Sequence, residues 1–219
     1  METFHAPAER RSFREILDES RVFPEGGYTR KLMDALPLMA AILNHERQVL
    51  YANKTLLSSI GIDNLEEILG KRPGELIHCI HSSEMEGGCG TSEKCRYCGA
   101  VNAILECLST GKEAKGECRI ISGKDNQEEA YDFLAVASPF NFQGKNYVVF
   151  SLSDTSSQKR RKMLERIFFH DIMNTAGGLN GLISIIGQSG TLSEVKDLSG
   201  TAAKISEELI DEIFAQKQL

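Results

Sequence analysis

The C-terminal third of the sequence contains the pattern that most constrains the fold, an apolar repeat spaced by three and four residues. This spacing places apolar side chains on one face of an α-helix, and it persists for about thirty residues after Ser156. The sequence GQSG at residues 187–190 interrupts the repeat, and a second apolar face follows. Two long amphipathic helices are therefore predicted. Their apolar positions are Leu164, Ile167, Phe168, Met173, Ala176, Leu179, Ile183 and Ile186, then Val195, Leu198, Ala202, Ile205, Leu209 and Ile213.

The short break between these helices predicts a helical hairpin. Thr191 and Glu194 have the spacing of a capping box, in which two side chains satisfy free backbone N–H groups at the start of a helix. Consecutive helices joined by so short a loop pack antiparallel. Two stripes in one hairpin make only a thin core, so we expect a second copy of the chain to cover them. The prediction is a parallel homodimer with a four-helix bundle.

A polar group follows two phenylalanines in the first helix, in the sequence FFHDIMNTAGG. Asn174 lies one turn after His170 and Asp171 adjoins both, so the three share a helix edge beside the apolar stripe. A carboxylate that accepts one ring N–H fixes the tautomer and leaves the other nitrogen free to act as a nucleophile. From position alone, an ordinary surface histidine is the alternative. Gly177 and Gly178 each cost about 1 kcal/mol in a helix interior, which suggests a bend or a close helix approach.

The sequence FFHDIMNTAGGLNGL resembles the phosphoacceptor H-box of sensor histidine kinases, and the resemblance covers residues 156–219. It implies that His170 is phosphorylated, that Asp171 is the general base of autophosphorylation, and that Asn174 orients a water when the response regulator is dephosphorylated. The implied partners are a response-regulator receiver domain and an ATP-binding kinase domain. No Gly-rich ATP-binding segment follows before Leu219. ATP is therefore expected to act only through a missing domain, and a kinase fragment and a phosphotransferase bundle that lacks its own ATP domain both stay open.

The middle of the chain alternates strand and helix patterns, which predicts an α+β fold. The sequences VLYANKTL and SLSDTSSQKRR, in this order, resemble the second strand and the exit segment of a PAS sensor domain. The resemblance implies an antiparallel sheet with flanking short helices. We expect a helical N-terminal segment at 1–34, a PAS domain at 35–155 and the helical hairpin at 156–219. Predicted strands are 39–44, 49–53, 116–122, 130–139 and 146–152, and predicted helices within the PAS region are 54–62, 64–70 and 100–111.

A loop at 78–99 concentrates thiols and glycines in the sequence HCIHSSEMEGGCGTSEKCRYCG. Two residues between Cys95 and Cys98 let both sulfurs face one ion, and the glycines permit a tight backbone. The predicted metal ligands are Cys79, Cys89, Cys95 and Cys98, with His78 and His81 as substitutes. A structural zinc ion, an iron–sulfur cluster that senses redox state or oxygen, and free thiols or a reversible disulfide all stay open. The other two cysteines, Cys107 and Cys118, are interpreted as small buried apolar residues.

Composition narrows the class of protein. The formal net charge of −6 argues against a general nucleic-acid surface, and the basic run at 158–162 is interpreted as a solvated helix face. No apolar run approaches the ~20 residues of a membrane span, and the N-terminus lacks the apolar segment of a signal peptide. We therefore expect a cytoplasmic protein with reduced cysteines. The rival to a histidine kinase is a non-enzymatic metal-binding or redox-binding module that dimerises through its helices.

Overall fold

The computed structural model describes residues 2–124 and 127–217, so Leu219 lies outside the described residues. The chain forms two compact units, residues 1–156 and residues 157–219. Among the described residues, no helix has the length and apolar character needed to cross a membrane.

The first unit is built on one five-stranded antiparallel sheet with the order β2-β1-β5-β4-β3. The first strand pairs with the last at the centre of the sheet, where Ala41 lies opposite Phe150. All five predicted strands form, and the last three extend beyond their predicted bounds because long hairpins pair them end to end. The strands are β1 Met39–Leu43, β2 Val49–Ala52, β3 Ala114–Lys124, β4 Gln127–Phe142 and β5 Lys145–Asp154.

Five α-helices and three short 3-10 helices accompany this sheet within the described residues. The segment predicted as a helix at 64–70 forms only a short 3-10 helix, Leu65–Glu67, which the Asn64 side chain caps by accepting from the N–H of Glu66 at 3.0 Å. A second short helix, at Tyr28–Asp34, was not predicted, because it has neither an apolar stripe nor a side-chain cap. The helices are α1 Phe13–Ser20, α2 Tyr28–Asp34, α3 Lys54–Ile60, α4 Pro73–Leu76 and α5 Gly99–Thr110.

Both faces of the sheet are covered. Alternation along β1 sends Ala41 and Leu43 to the face packed by α3, α4 and α5, and sends Ala40 and Ile42 to the opposite face. Residues of the N-terminal segment pack on that opposite face, and they include Ile16, Phe23 and Met33. The N-terminal segment is therefore an integral layer of the first unit.

Asn53 ties together the elements at the start of the sheet. Its side chain is fully buried and accepts from the N–H groups of Leu56 at 3.0 Å and Ala40 at 3.0 Å. Its amide donates to the carbonyls of Met33 at 3.0 Å and Leu38 at 2.8 Å. One side chain thus caps α3 and fixes how α2 enters β1.

The second unit consists of two long helices, α6 Ser156–Ile186 and α7 Leu192–Lys217. Both helices and the break between them were predicted. Thr191 Oγ1 accepts from the N–H of Glu194 at 3.4 Å, which is one half of the predicted capping box. Partly covered positions recur at steps of three and four along each helix. These positions are Glu165, Phe168, Ile172, Thr175, Leu179, Leu182 and Ile186 in α6, and Val195, Leu198, Ala202, Ile205 and Leu209 in α7.

The covered stripe of α6 differs in part from the predicted one. Phe168, Leu179 and Ile186 belong to it, whereas Leu164 and Met173 leave 63% and 70% of their surface exposed. The reason is geometric, because residues along a straight contact line on a helix are spaced by alternating steps of three and four. Among the predicted residues outside those steps, Ile167 and Ile183 stay exposed within one chain, whereas Ala176 is partly covered.

Candidate functional site

The first candidate site is a cavity of about 160 Å³ beside the start of α5. All four cysteines that the sequence predicts as metal ligands line its wall: Cys79, Cys89, Cys95 and Cys98. Ile104, Ile120 and Phe150 form much of the apolar part of the wall. The fold therefore gathers thiols from three separate stretches of loop around one space.

Helix α4 positions two of these cysteines. The Cys79 N–H donates to the carbonyl of Gly74 at 2.8 Å, and its backbone also bridges to Ser122 of β3. Cys89 Sγ accepts from the N–H of Gly74 at 3.3 Å, while the Cys89 N–H donates to Glu75 Oε1 at 3.0 Å. Gly74 has to be a glycine here, because a Cβ would lie 2.7 Å from Cys89 Sγ. Cys79 and Cys89 thus both lie against Gly74.

A 3-10 helix, Glu93–Tyr97, that leads into α5 positions the other two cysteines. Cys95 is buried within this helix, and the Cys98 N–H donates to the carbonyl of Cys95 at 3.1 Å. Cys98 is also the residue that precedes α5. The predicted Cys-x-x-Cys pair therefore occupies a tight turn that ends at a helix N-terminus.

A close contact between α5 and β3 brings a fifth cysteine to this region. A Cβ on Gly99 would lie 2.2 Å from the carbonyl oxygen of Glu117, and a Cβ on Gly116 would lie 2.3 Å from the carbonyl oxygen of Gly99. The two glycines let the start of the helix touch the strand, and Cys118 thereby reaches Cys98. Cys107 and Cys118 are both buried, as predicted, but the role of Cys118 as a partner of Cys98 was missed.

The thiols have unequal acidities. The Cys118 thiol donates a hydrogen bond to Cys98, and the N–H groups of Val101 and Ala100 add to it, which together lower the pKa of Cys98 to about 6. The pKa of Cys118 is raised because its proton is held in that bond. Desolvation by burial raises the pKa of three further thiols, Cys79, Cys89 and Cys95.

Two buried arginines form part of the cavity wall, and the sequence analysis missed both. Arg72 is 1% exposed and Arg47 is 3% exposed. Arg72 donates to the carbonyls of Glu9 at 2.7 Å, Gly87 at 2.8 Å and Glu46 at 3.1 Å. In sequence, an arginine in KRPGE looks like an ordinary surface charge.

Burial lowers the pKa of Arg72 to about 10, and repulsion from Arg47 and Arg10 acts in the same direction. Lys94 and Arg119 also line the cavity, and no aspartate or glutamate does so within the described residues. The wall therefore combines thiols with excess positive charge.

The four predicted ligands share a cavity but do not surround a single point. Within 2–124 and 127–217, no three side chains of His, Cys, Asp or Glu are arranged so that they could hold one metal ion. His81 also lines the cavity, and its Nδ1 lies 2.6 Å from Glu84 Oε1. His78 lines a different groove, together with Ser122 and Tyr131.

The second candidate site is the predicted polar edge of α6. The His170 side chain is 71% exposed, and its Nδ1 lies 3.2 Å from Asp171 Oδ1. Asn174 Nδ2 lies 3.2 Å from Nδ1 and 3.4 Å from Nε2 of the same ring. Phe168 is half-buried beside this edge. The arrangement leaves the imidazole open to a large partner while a carboxylate and an amide contact it.

The glycines that follow His170 have no close neighbour within the chain. A Cβ added at Gly177, Gly178 or Gly181 would meet no atom within 4 Å, and α6 continues through all three. A close approach inside one chain therefore does not account for them.

No protein-family model matches the sequence, and no curated protein matches it. Solved structures similar to it include the PAS domain of an HTR-like protein from Haloarcula marismortui, at 16% identity over 63% of this chain and 97% of that one, with a TM-score of 0.39. The Rhodobacter sphaeroides LOV protein is 14% identical over 94% and 98% of the two chains, with a TM-score of 0.43. The PAS domain of Bordetella pertussis BvgS is 14% identical over 67% and 95%, with a TM-score of 0.40.

The element order of the first unit is the one that the PAS resemblance implies. A strand hairpin is followed by short helices, one longer helix and three further strands in a single antiparallel sheet. The first unit has a PAS-like fold.

Proposed function

We propose that this chain is the sensory and phosphotransfer part of a two-component histidine kinase in the cytoplasm. Its PAS-like unit receives a signal, and His170 accepts a phosphoryl group and passes it to an aspartate of a response-regulator receiver domain. The observation that carries this proposal is the exposed imidazole of His170 in contact with Asp171 and Asn174.

The proposed chemistry follows from those contacts. In the tautomer in which Asp171 accepts the N–H of Nδ1, the lone pair of Nε2 is the nucleophile. The Asn174 amide lies 3.4 Å from Nε2, so it has to move aside for an incoming phosphoryl group. The Nε2–P bond forms as the bond from phosphorus to the bridging oxygen breaks, ADP leaves with the electron pair, and the Nδ1 proton passes to Asp171. In-line phosphoryl transfer depends mainly on positioning, so an exposed ring on a rigid helix suits it.

Dimerisation is part of the proposal. The two helices leave large apolar side chains exposed, among them Leu164, Phe169, Met173 and Phe214. Exposed apolar surface of this kind is typical of an interaction surface, and a second copy with the same stripes would cover it. We expect a parallel homodimer, and light scattering that gives a monomer mass at micromolar concentration would contradict this.

A labelling experiment tests the role of His170. The protein is expressed from its complete gene and incubated with radiolabelled ATP and Mg²⁺, or in a second arm with a phosphorylated receiver domain. We expect an acid-labile label that His170→Gln abolishes and that His45→Gln, a change at another exposed histidine, leaves intact. Asp171→Asn should slow labelling, and Asn174→Ala should spare labelling but weaken dephosphorylation of the receiver domain.

The two arms separate the candidate functions. Label from ATP supports a kinase, and label only from the receiver domain supports a phosphotransferase that lacks its own ATP domain. If neither arm labels the protein, or if His170→Gln still takes up label, the proposal is wrong and the non-enzymatic metal or redox module takes its place.

A further inference from the structure

We propose that the cysteine cavity binds a polynuclear iron–sulfur cluster through Cys79, Cys89, Cys95 and Cys98. This inference goes beyond the phosphotransfer function and does not rest on His170. Three features of the cavity wall carry it: the placement of the thiols, the volume they enclose and the charge around them.

The placement of the thiols favours a cluster over a single ion. Sulfurs bound to one zinc ion lie at most about 4.6 Å apart, twice the Zn–S bond length of about 2.3 Å. Among the side chains described, no three possible ligands are arranged so that they could bind one ion. In a cluster the thiolates bind different iron atoms, so four cysteines around a shared space are enough.

The volume of the cavity also favours a cluster over a single ion. The cavity measures about 160 Å³, and one water needs only about 10–15 Å³ measured in this way. A single ion would leave most of this space empty, and a small void lined by thiols and aliphatic groups loses packing energy. A cluster of several iron and sulfide ions fills it and presents sulfide to the apolar wall of Ile104, Ile120 and Phe150.

The charge of the wall favours an anion. Arg47 and Arg72 are buried, and their described hydrogen bonds end on backbone carbonyls such as those of Pro7 and Glu9. The nearby carboxylate of Glu75 already pairs with Arg10. Buried cations without a counter-charge are costly. A cluster bound by four thiolates is a net anion, because the negative sulfurs outweigh the positive charge of the core.

The binding step balances simply. Ferric and ferrous ions, supplied together at the oxidation state of the finished core, combine with sulfide without any further electron transfer. Four Fe–S bonds form to the cysteine sulfurs, and the four thiol protons leave to solvent. A mild thiol reductant reduces the cysteines and is removed before loading, and oxygen is excluded.

The test is metal and sulfide analysis of the whole chain, purified anaerobically with its cysteines reduced, and then incubated with ferric iron, ferrous iron and sulfide. We expect iron and acid-labile sulfide in equal amounts, at two or more of each per chain, with a visible absorption band that bleaches on reduction. The double variant Cys95→Ala/Cys98→Ala should lose at least nine-tenths of both. Cys107→Ala, at a buried cysteine outside the cavity wall, should retain them.

Other outcomes overturn the proposal. One zinc per chain without labile sulfide would establish a mononuclear site. No bound metal after reconstitution would show that the four cysteines are free thiols. Cluster content unchanged in the double variant would place the cluster elsewhere. Far-UV circular dichroism of each variant shows whether the fold survives, and the result for the unmodified chain decides the question even where a variant fails to fold.

Discussion

Replacing Arg72 by methionine tests how a buried cation organises the cavity wall. The guanidinium joins three separate segments, because it donates to Glu9 at 2.7 Å, Gly87 at 2.8 Å and Glu46 at 3.1 Å. A hydrogen bond to a charged group contributes about 1.5–3 kcal/mol, so three of them amount to roughly 5–9 kcal/mol. Methionine also removes a buried charge whose desolvation costs several kcal/mol. The difference predicts that Arg72→Met lowers the free energy of unfolding by about 2–4 kcal/mol.

Urea unfolding followed by circular dichroism measures this change, and limited proteolysis of the cysteine loop reports where it acts. Lys71→Met is the matched control, because Lys71 is exposed and its loss should change the stability by less than about 0.5 kcal/mol. Arg72→Lys should recover only part of the loss, since an ammonium group cannot span three carbonyls as the guanidinium fork does. If Arg72→Met unfolds at the same urea concentration as the unmodified protein, the wall does not depend on this side chain.

Three further changes have outcomes that the structure predicts. Gly99→Ala places a Cβ 2.2 Å from the carbonyl oxygen of Glu117, so it should lower the melting temperature and separate Cys98 from Cys118; an unchanged melting temperature would refute the close contact. Asn53→Ala removes four side-chain hydrogen bonds to the backbone and should cost about 2–4 kcal/mol in urea unfolding, whereas a cost below about 1 kcal/mol would contradict its central position. Gly178→Ala meets no atom within 4 Å in the chain, so it should raise the stability of α6 by up to about 1 kcal/mol; a loss of dimer in light scattering would instead place this glycine at a contact between copies.

Local sequence patterns were sufficient for most of the secondary structure. The apolar run of β1, the alternation in β5, the apolar repeat of α6 and the break at 187–190 each depend on residues close together in the chain. The extra strand length in β4 and the reduction of 64–70 to a 3-10 helix depend on pairing and burial across the sheet. Such effects of distant neighbours leave little trace in a local pattern.

The two candidate sites differ in how far the sequence could predict them. His170, Asp171 and Asn174 lie within one helical turn, so their contacts follow from helix geometry alone. The four cysteines were identified by type and spacing, but their shared cavity depends on α4 and on the contact between Gly99 and Gly116. Arg72 was missed because its burial results from three segments that are distant in sequence and close around it. No sequence pattern near residue 72 predicts those contacts.

The position of the phosphoryl group is the most direct test of the proposed function. Tryptic digestion at neutral pH should release residues 167–196, a peptide whose sequence contains one histidine, His170. After incubation of the complete gene product with ATP and Mg²⁺, or with a phosphorylated receiver domain, mass spectrometry should place one acid-labile phosphate on that imidazole. Phosphate on a serine, a threonine or another histidine, with the 167–196 peptide unmodified, would contradict the account.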